Sequence, residues 1–266
     1  MIVGKKLLGV ISILLLMLLL IFNASKNNNN TYDNEFLTSL AKGLDKRWEV
    51  VARKRNVEKS IEDYRAYVNY ELIEVKKYKN RKFKDPKLKN LADSYIEVLK
   101  DLKETTIKHK FVDSLFVEES NKLDDKRYEL LLDINSIVEI PVQDKNTLDS
   151  ILRSGKAVKE FNRVYGILVD TFDAKNFVVE EVEDGSEKEK RYVGNFENTT
   201  GHYIHYIDIN INFYDENDKI YSGFRFNTRY GWENGTKQSF EFSVPDSDTK
   251  FKYFKVNLGE KSFSFK

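Results

Sequence analysis

The spacing of hydrophobic and polar positions divides the chain into three stretches. The first runs from Leu7 to Phe22, sixteen residues with nothing more polar than Ser12. A buried helix of a globular domain keeps a polar face at a period of about 3.6 residues, so a run that is apolar all round has lipid as its natural solvent. From Asp33 the pattern changes to charged residues with apolar ones three and four apart, and almost no glycine interrupts it for about 140 residues. That spacing predicts helices. Phe36, Leu40, Leu44 and Trp48 form one stripe, and Ile61, Tyr64, Val68, Leu72 and Val75 a second. Asp85 and Pro86 supply an N-cap and a first-turn proline for a third helix carrying Leu88, Leu91, Tyr95, Val98 and Leu102. A fourth spans Phe111 to Ile137 with Leu115, Leu123, Leu130 and Ile134, and a fifth begins near Asp144 and carries Leu148, Ile151, Leu152, Val158, Phe161, Tyr165 and Leu168. Each helix has one apolar stripe and needs partners to bury it. An extended stalk would also serve, but short breaks near residues 56, 83 and 141 favour a compact bundle.

From about Phe177 the period falls to two. Tyr203 to Phe213 places apolar residues mostly at odd positions and Asp208, Asn210 and Asn212 at even ones, the pattern of a strand with one wet face. Asp215-Glu216-Asn217-Asp218 and Asn234-Gly235 read as turns, with Ile220, Phe224 and Phe226 between them and Gln238, Phe240, Phe242 and Val244 after. Phe251 to Leu258, Tyr192 to Glu197 and Phe177 to Val182 bring the expectation to about six strands, enough for a small antiparallel β-sandwich. The charged run Glu180 to Lys190 around Gly185-Ser186 reads as a solvated loop. The fold class expected is therefore α+β: an apolar anchor or signal segment (1–24), a polar linker (25–31), a helical domain (32–174) and a β-sandwich domain (175–266).

Composition narrows the function. Of 44 basic residues, Lys5 and Lys6 precede the apolar run, leaving 42 against 43 acidic ones in a nearly neutral remainder. This argues against a nucleic-acid partner. The absence of cysteine excludes disulfides, thiolate nucleophiles, Cys-ligated zinc and a lipid attachment site of the bacterial lipoprotein kind. Sixteen apolar residues lie between the length of a signal core, about 7–15, and that of a stable span, about 17–25. Phe22-Asn23-Ala24 is a poor cleavage site, which favours an uncleaved anchor in the cell membrane over secretion after cleavage. The two lysines before the run direct the rest of the chain outward.

Val193-Gly194, Glu197-Asn198-Thr199-Thr200-Gly201, Ile211-Asn212-Phe213-Tyr214-Asp215 and Trp232-Glu233-Asn234-Gly235, followed by Phe240 and Phe242, resemble the FxLYD domain over roughly residues 190 to 258. The chain departs from that motif with Ile211 for its Phe and Phe213 for its Leu, while Tyr214 and Asp215 match. The resemblance implies a β-sandwich in an exported protein or lipoprotein of Gram-positive bacteria, although the lipobox cysteine of many such proteins is absent. It implies no catalytic residues.

Candidate chemistry is sparse. Between Lys76 and Lys89 eight of fourteen residues are Lys or Arg, with Tyr78 and Phe83 interleaved. Lys76, Lys77, Lys79, Arg81, Lys82 and Lys84 are the candidates for contact with an anionic envelope polymer, or they form a solvated helix end. Tyr230 and Trp232, near a loop, could stack on a sugar ring or serve as edge or core aromatics. His202 and His205 lie three apart on an expected strand and so face opposite sides, which disfavours a shared metal. Asp215, Asn217 and Asp218 lack the Gly and Glu of a calcium loop, since Lys219, Ile220 and Phe226 stand at its later positions. No phosphate loop, nucleophile elbow or zinc-protease motif occurs. These observations point to a non-catalytic, membrane-anchored envelope protein with a binding, spacing or assembly role, without cofactor or metal. Its expected partners are the membrane, through Leu7 to Phe22, and an anionic polymer or another envelope protein. A sensor or regulatory ectodomain is the alternative, and a cell-wall polymer hydrolase a more distant one.

Overall fold

The computed structural model describes residues 31–54, 60–110, 113–184, 187–227, 231–245 and 251–266. The anchor segment lies outside the described residues, as does all of the linker except Thr31. Among the described residues no helix is long and apolar enough to cross a membrane. The chain forms two compact units that divide between Val158 and Lys159.

The first unit contains α1 (Asp33–Arg53), α2 (Ile61–Val75), α3 (Pro86–Lys108), α4 (Ser114–Ile137) and the beginning of α5 (Lys145–Thr171). Local chemistry sets the helix starts. Ser60 and Asp63 form a reciprocal capping box at α2, and the Asp85 carboxylate accepts from the backbone N–H groups of Lys87 and Leu88 ahead of α3. The expected stripes then meet in one core that includes Phe36, Leu40, Leu44, Val68, Leu72, Leu88, Tyr95, Leu99, Leu131, Ile134 and Leu148.

Two glycines fix how closely the helices approach. A Cβ on Gly43 of α1 would lie 2.9 Å from the Glu71 Cα of α2, and one on Gly155 of α5 would lie 2.5 Å from the Tyr128 carbonyl oxygen of α4. Both contacts are with backbone, so only a residue without Cβ permits them.

In the second unit the end of α5 joins six strands: β1 (Val178–Asp184), β2 (Glu187–Glu197), β3 (Ile204–Tyr214), β4 (Ile220–Asn227), β5 (Lys237–Pro245) and β6 (Tyr253–Phe265). They form two antiparallel three-stranded sheets, ordered β1-β2-β5 and β4-β3-β6. Phe196, Phe240 and Phe242 from one sheet and Ile209, Ile211 and Phe213 from the other share a core with Val164, Leu168 and Phe172. The change of core therefore falls inside α5, ahead of the change in sequence period, because Phe161 and Tyr165 stack against Phe263 of β6.

Of the run Glu180 to Lys190, expected as a solvated loop, Glu180 to Asp184 instead belongs to β1 and Glu187 to Lys190 to β2. Their register places Glu180 opposite Arg191 and Glu181 opposite Lys190. Opposite charges across a ladder stabilise a strand pair that has no apolar face to declare it. At the β3–β4 turn the Asp215 carboxylate accepts from the N–H groups of Asn217 and Lys219 while Asp218 adopts φ 59°, an Asx-stabilised turn.

Candidate functional site

Glu71, Arg127 and Arg47, none of them among the candidates read from the sequence, converge inside the helical unit. Glu71 is 0% exposed and Arg127 1%. The Arg127 guanidinium donates to both Glu71 carboxylate oxygens, from Nε at 2.9 Å and from Nη2 at 2.7 Å, while Arg47 Nη1 donates to Oε1 at 2.8 Å. The Tyr95 hydroxyl donates to Oε2. Beyond this centre Tyr64 donates to Asp124 Oδ2 at 2.6 Å, and Arg47 Nη2 lies 3.7 Å from Asp124 Oδ1. Two guanidiniums thus face two carboxylates, and the cluster is neutral.

Its electrostatics follow from burial and pairing. Burial by itself would raise the Glu71 carboxyl, but Arg127 and then Arg47 outweigh it and hold the group below the ordinary carboxylate range. Burial disfavours the Arg127 cation, and Glu71 more than reverses this. Burial, reinforced by Asp124, raises the Tyr64 phenol well above its usual value, so it stays a donor. The close α1–α2 approach at Gly43 brings Arg47, one turn later, over Glu71.

The signal for this cluster was present in the sequence. Glu71 falls between Val68, Leu72 and Val75 at the 3-4 spacing of the buried stripe of α2, and Arg127 falls between Leu123 and Leu130 in the same way. A charge inside an apolar stripe marks a buried ion pair by its spacing alone, since a charged side chain is almost never fully buried unless paired.

Beside the cluster is a cavity of about 280 Å³ within the first unit. Arg47, Arg127, Trp48, Tyr64, Tyr67 and Tyr128 line it, together with the hydroxyl-bearing Ser60 and Thr147. The Tyr67 hydroxyl is buried and has no hydrogen-bond partner, and neither has Asp124 Oδ1. A larger open groove of about 770 Å³ runs between α1 and α2 past Pro141, and its walls carry both signs of charge, including the Lys42–Glu74 pair.

The basic segment between α2 and α3 is shaped by its aromatic residues. Tyr78 and Phe83 point into the core, where Phe36 packs on both rings, and the Tyr78 hydroxyl donates to the Glu35 carbonyl at 2.9 Å. The Asp33 carboxylate accepts from the N–H groups of Lys84 and Asp85, which fastens the segment to the start of α1. Lys76, Lys77, Arg81, Lys82 and Lys84 remain exposed, whereas Lys79 is half-buried and pairs with Glu97. Arg81 lies 5.2 Å over the Tyr32 ring and Lys77 the same distance over Tyr78. Among the described residues, Lys76, Lys82 and Lys84 form no ion pair.

The aromatic pair near the second turn divides differently. Tyr230 lies outside the described residues. Trp232 is 2% exposed, packs on Phe172 and Phe240 and donates from its indole to the Thr236 carbonyl at 3.0 Å. It is a core anchor and has no free face for a sugar.

Around Trp232, Asn198 joins three segments. Its amide donates to the His202 and Trp232 carbonyls, each at 2.8 Å, and its oxygen accepts from the Thr200 N–H and hydroxyl. His202 precedes β3 instead of lying on it, so strand alternation does not govern it. Its ring faces Glu160 and the Lys266 carbonyl, while the His205 ring packs on Tyr203, and the two histidines do not converge. No family model and no curated protein matches the chain.

Proposed function

We propose that this is a non-catalytic protein of the cell envelope, tethered through Leu7 to Phe22, whose helical unit binds anionic envelope polymer through the basic segment. One observation carries the reading: Lys76, Lys77, Arg81, Lys82 and Lys84 are held in solvent on a short segment pinned at Tyr78, Phe83 and Asp33. Pinning lowers the ordering cost that a flexible basic tail would meet on binding. Each such cation near an anionic surface contributes about 1 kcal/mol. By contrast, the buried ion cluster is charge-compensated, and each Glu71 oxygen is occupied by two donors, so Glu71 is not the idle carboxylate of a general base. The Asn198 hub supports reading the motif residues of the second unit as the frame of an FxLYD-like domain, because Asn198, Thr200, Gly201 and Trp232 all act there as structural residues.

The test is co-sedimentation of the full chain, in detergent, with purified anionic envelope polymer. Binding should fall as salt shortens the Debye length from about 10 Å toward 3 Å. It should be lost when Lys76, Lys77, Arg81, Lys82 and Lys84 are all replaced by Gln. Adherence unchanged in that variant would end the proposal.

A further inference from the structure

The residue at which the chain enters the helical unit is also the one to which the basic segment is fastened. The Tyr32 N–H donates to the Lys82 carbonyl at 3.0 Å, the Tyr32 ring meets Tyr78 at 6.2 Å and lies under Arg81, and Asp33 accepts from the N–H groups of Lys84 and Asp85. We propose that the exposed cations of this segment seat the helical unit on the anionic lipid headgroups of the bilayer that holds the chain, a step that rests on Leu7 to Phe22 being the anchor. Lipid and polymer then compete for one set of charges.

Reach and charge both favour this surface. From Phe22 to Tyr32 the chain takes ten residue steps, which span at most about 36 Å in any conformation. Lys82, bonded to Tyr32, therefore stays near the bilayer, and confinement of this kind raises the effective concentration of the headgroups without any added contact. The charge is complementary as well. Lys76, Lys77, Arg81, Lys82 and Lys84 are exposed. Of the acids at this end, Asp33 and Asp85 are turned onto backbone N–H groups, Asp93 and Glu97 pair with Lys89 and Lys79, and Glu35 is exposed. Five exposed cations thus face one exposed acid. Because Tyr78 and Phe83 are buried, the segment offers the bilayer charge and no aromatic wedge. The contact is a surface one that depends on the charge of the lipid.

The experiment reconstitutes the full chain into vesicles of phosphatidylcholine, alone or mixed in equal parts with phosphatidylglycerol, with a quencher on the headgroups. The chain has no cysteine, so Asn80→Cys and Lys108→Cys can each carry a single fluorophore. Both positions are exposed, and α3, 23 residues long, sets them about 35 Å apart. Phosphatidylglycerol should increase quenching of the Asn80→Cys label and leave the Lys108→Cys label unchanged. Lys82→Gln should lower the docked-to-free ratio about fivefold. Replacing all five cations by Gln should abolish the difference between the two lipids, and purified anionic polymer should reverse the quenching. Quenching that is the same in both lipids, that persists in the five-Gln variant or that ignores added polymer would overturn the proposal while leaving polymer co-sedimentation intact. A chain that fails to float with phosphatidylcholine vesicles would overturn the anchor and this docking together.

Discussion

Removing the charge of Glu71 tests the account of the helical core most directly. Glu71→Gln keeps the shape but leaves one acceptor oxygen where two had taken four hydrogen bonds, and it turns an amide donor toward guanidinium donors. Arg127, 1% exposed, would keep no paired carboxylate, because Asp124 is held by Tyr64 and Arg47. Breaking a buried pair in this way costs about 3–5 kcal/mol, a large part of the roughly 5–15 kcal/mol of a typical domain. Arg127→Leu should cost less, since Glu71 retains Arg47 and Tyr95. Arg47→Gln should cost least, because its side chain is 11% exposed and already reaches water. Glu71→Leu combined with Arg127→Leu should recover much of the loss, as replacing a whole buried pair by apolar groups is often neutral.

Urea unfolding measures this cleanly, because the chain has two tryptophans, Trp48 in the first unit and Trp232 in the second. In a Trp232→Phe background the emission follows the helical unit alone. A Glu71→Gln loss below about 1 kcal/mol, the range of exposed pairs, would refute the buried-network account. The pH dependence has the same root. The folded Glu71 carboxyl titrates below its unfolded value, so its contribution is complete above the unfolded pKa and is lost as pH falls through the folded one. Glu71→Gln should therefore flatten the acid limb of the stability profile.

Further outcomes follow from local geometry. Gly155→Ala would set a Cβ 2.5 Å from the Tyr128 carbonyl and should cost about 1–3 kcal/mol despite the better helix propensity of alanine, whereas Gly166→Ala, which meets nothing within 4 Å, should stabilise. The pair of urea midpoints decides it, and equal effects would refute the close-approach argument. Asn198→Ala should destabilise the second unit by about 3 kcal/mol, read from Trp232 emission, because two carbonyls and the Thr200 donors lose their partner. The Glu160 carboxyl, lowered to about 2 by hydrogen bonds from Arg163 and then His202, keeps its ion pair with Arg163 above its ordinary value of 4.5 and loses it as pH falls through about 2. An NMR titration should show that midpoint rising toward 4.5 in Arg163→Gln, and a parent midpoint already near 4.5 would contradict the pairing.

Much of the architecture was legible because it is written in local periods. The 3-4 spacing located the five helices of the described residues, and Asp85 and Pro86 marked the start of α3 by chemistry that acts within one turn. Alternation located β3 to β6 and, at Phe177–Val182 and Tyr192–Glu197, parts of β1 and β2, but the charged run Glu180 to Lys190 read as a loop, because Glu180 and Glu181 pair with Arg191 and Lys190 on the opposite strand. The basic segment was visible as composition, whereas the burial of its interleaved Tyr78 and Phe83 depends on the core they pack into.

By itself, then, the sequence determined the order and period of the elements, the mixed α and β character and the neutral, cysteine-free chemistry. These depend on neighbours within a turn or a strand, where backbone geometry repeats. Only the tertiary structure decided that Glu71 meets an arginine 56 residues away, that Trp232 faces inward and that α5 supplies two cores. Those outcomes depend on which faces pack together, and the packing is settled by steric fits such as Gly43 against Glu71 and by the need of every buried charge for a partner.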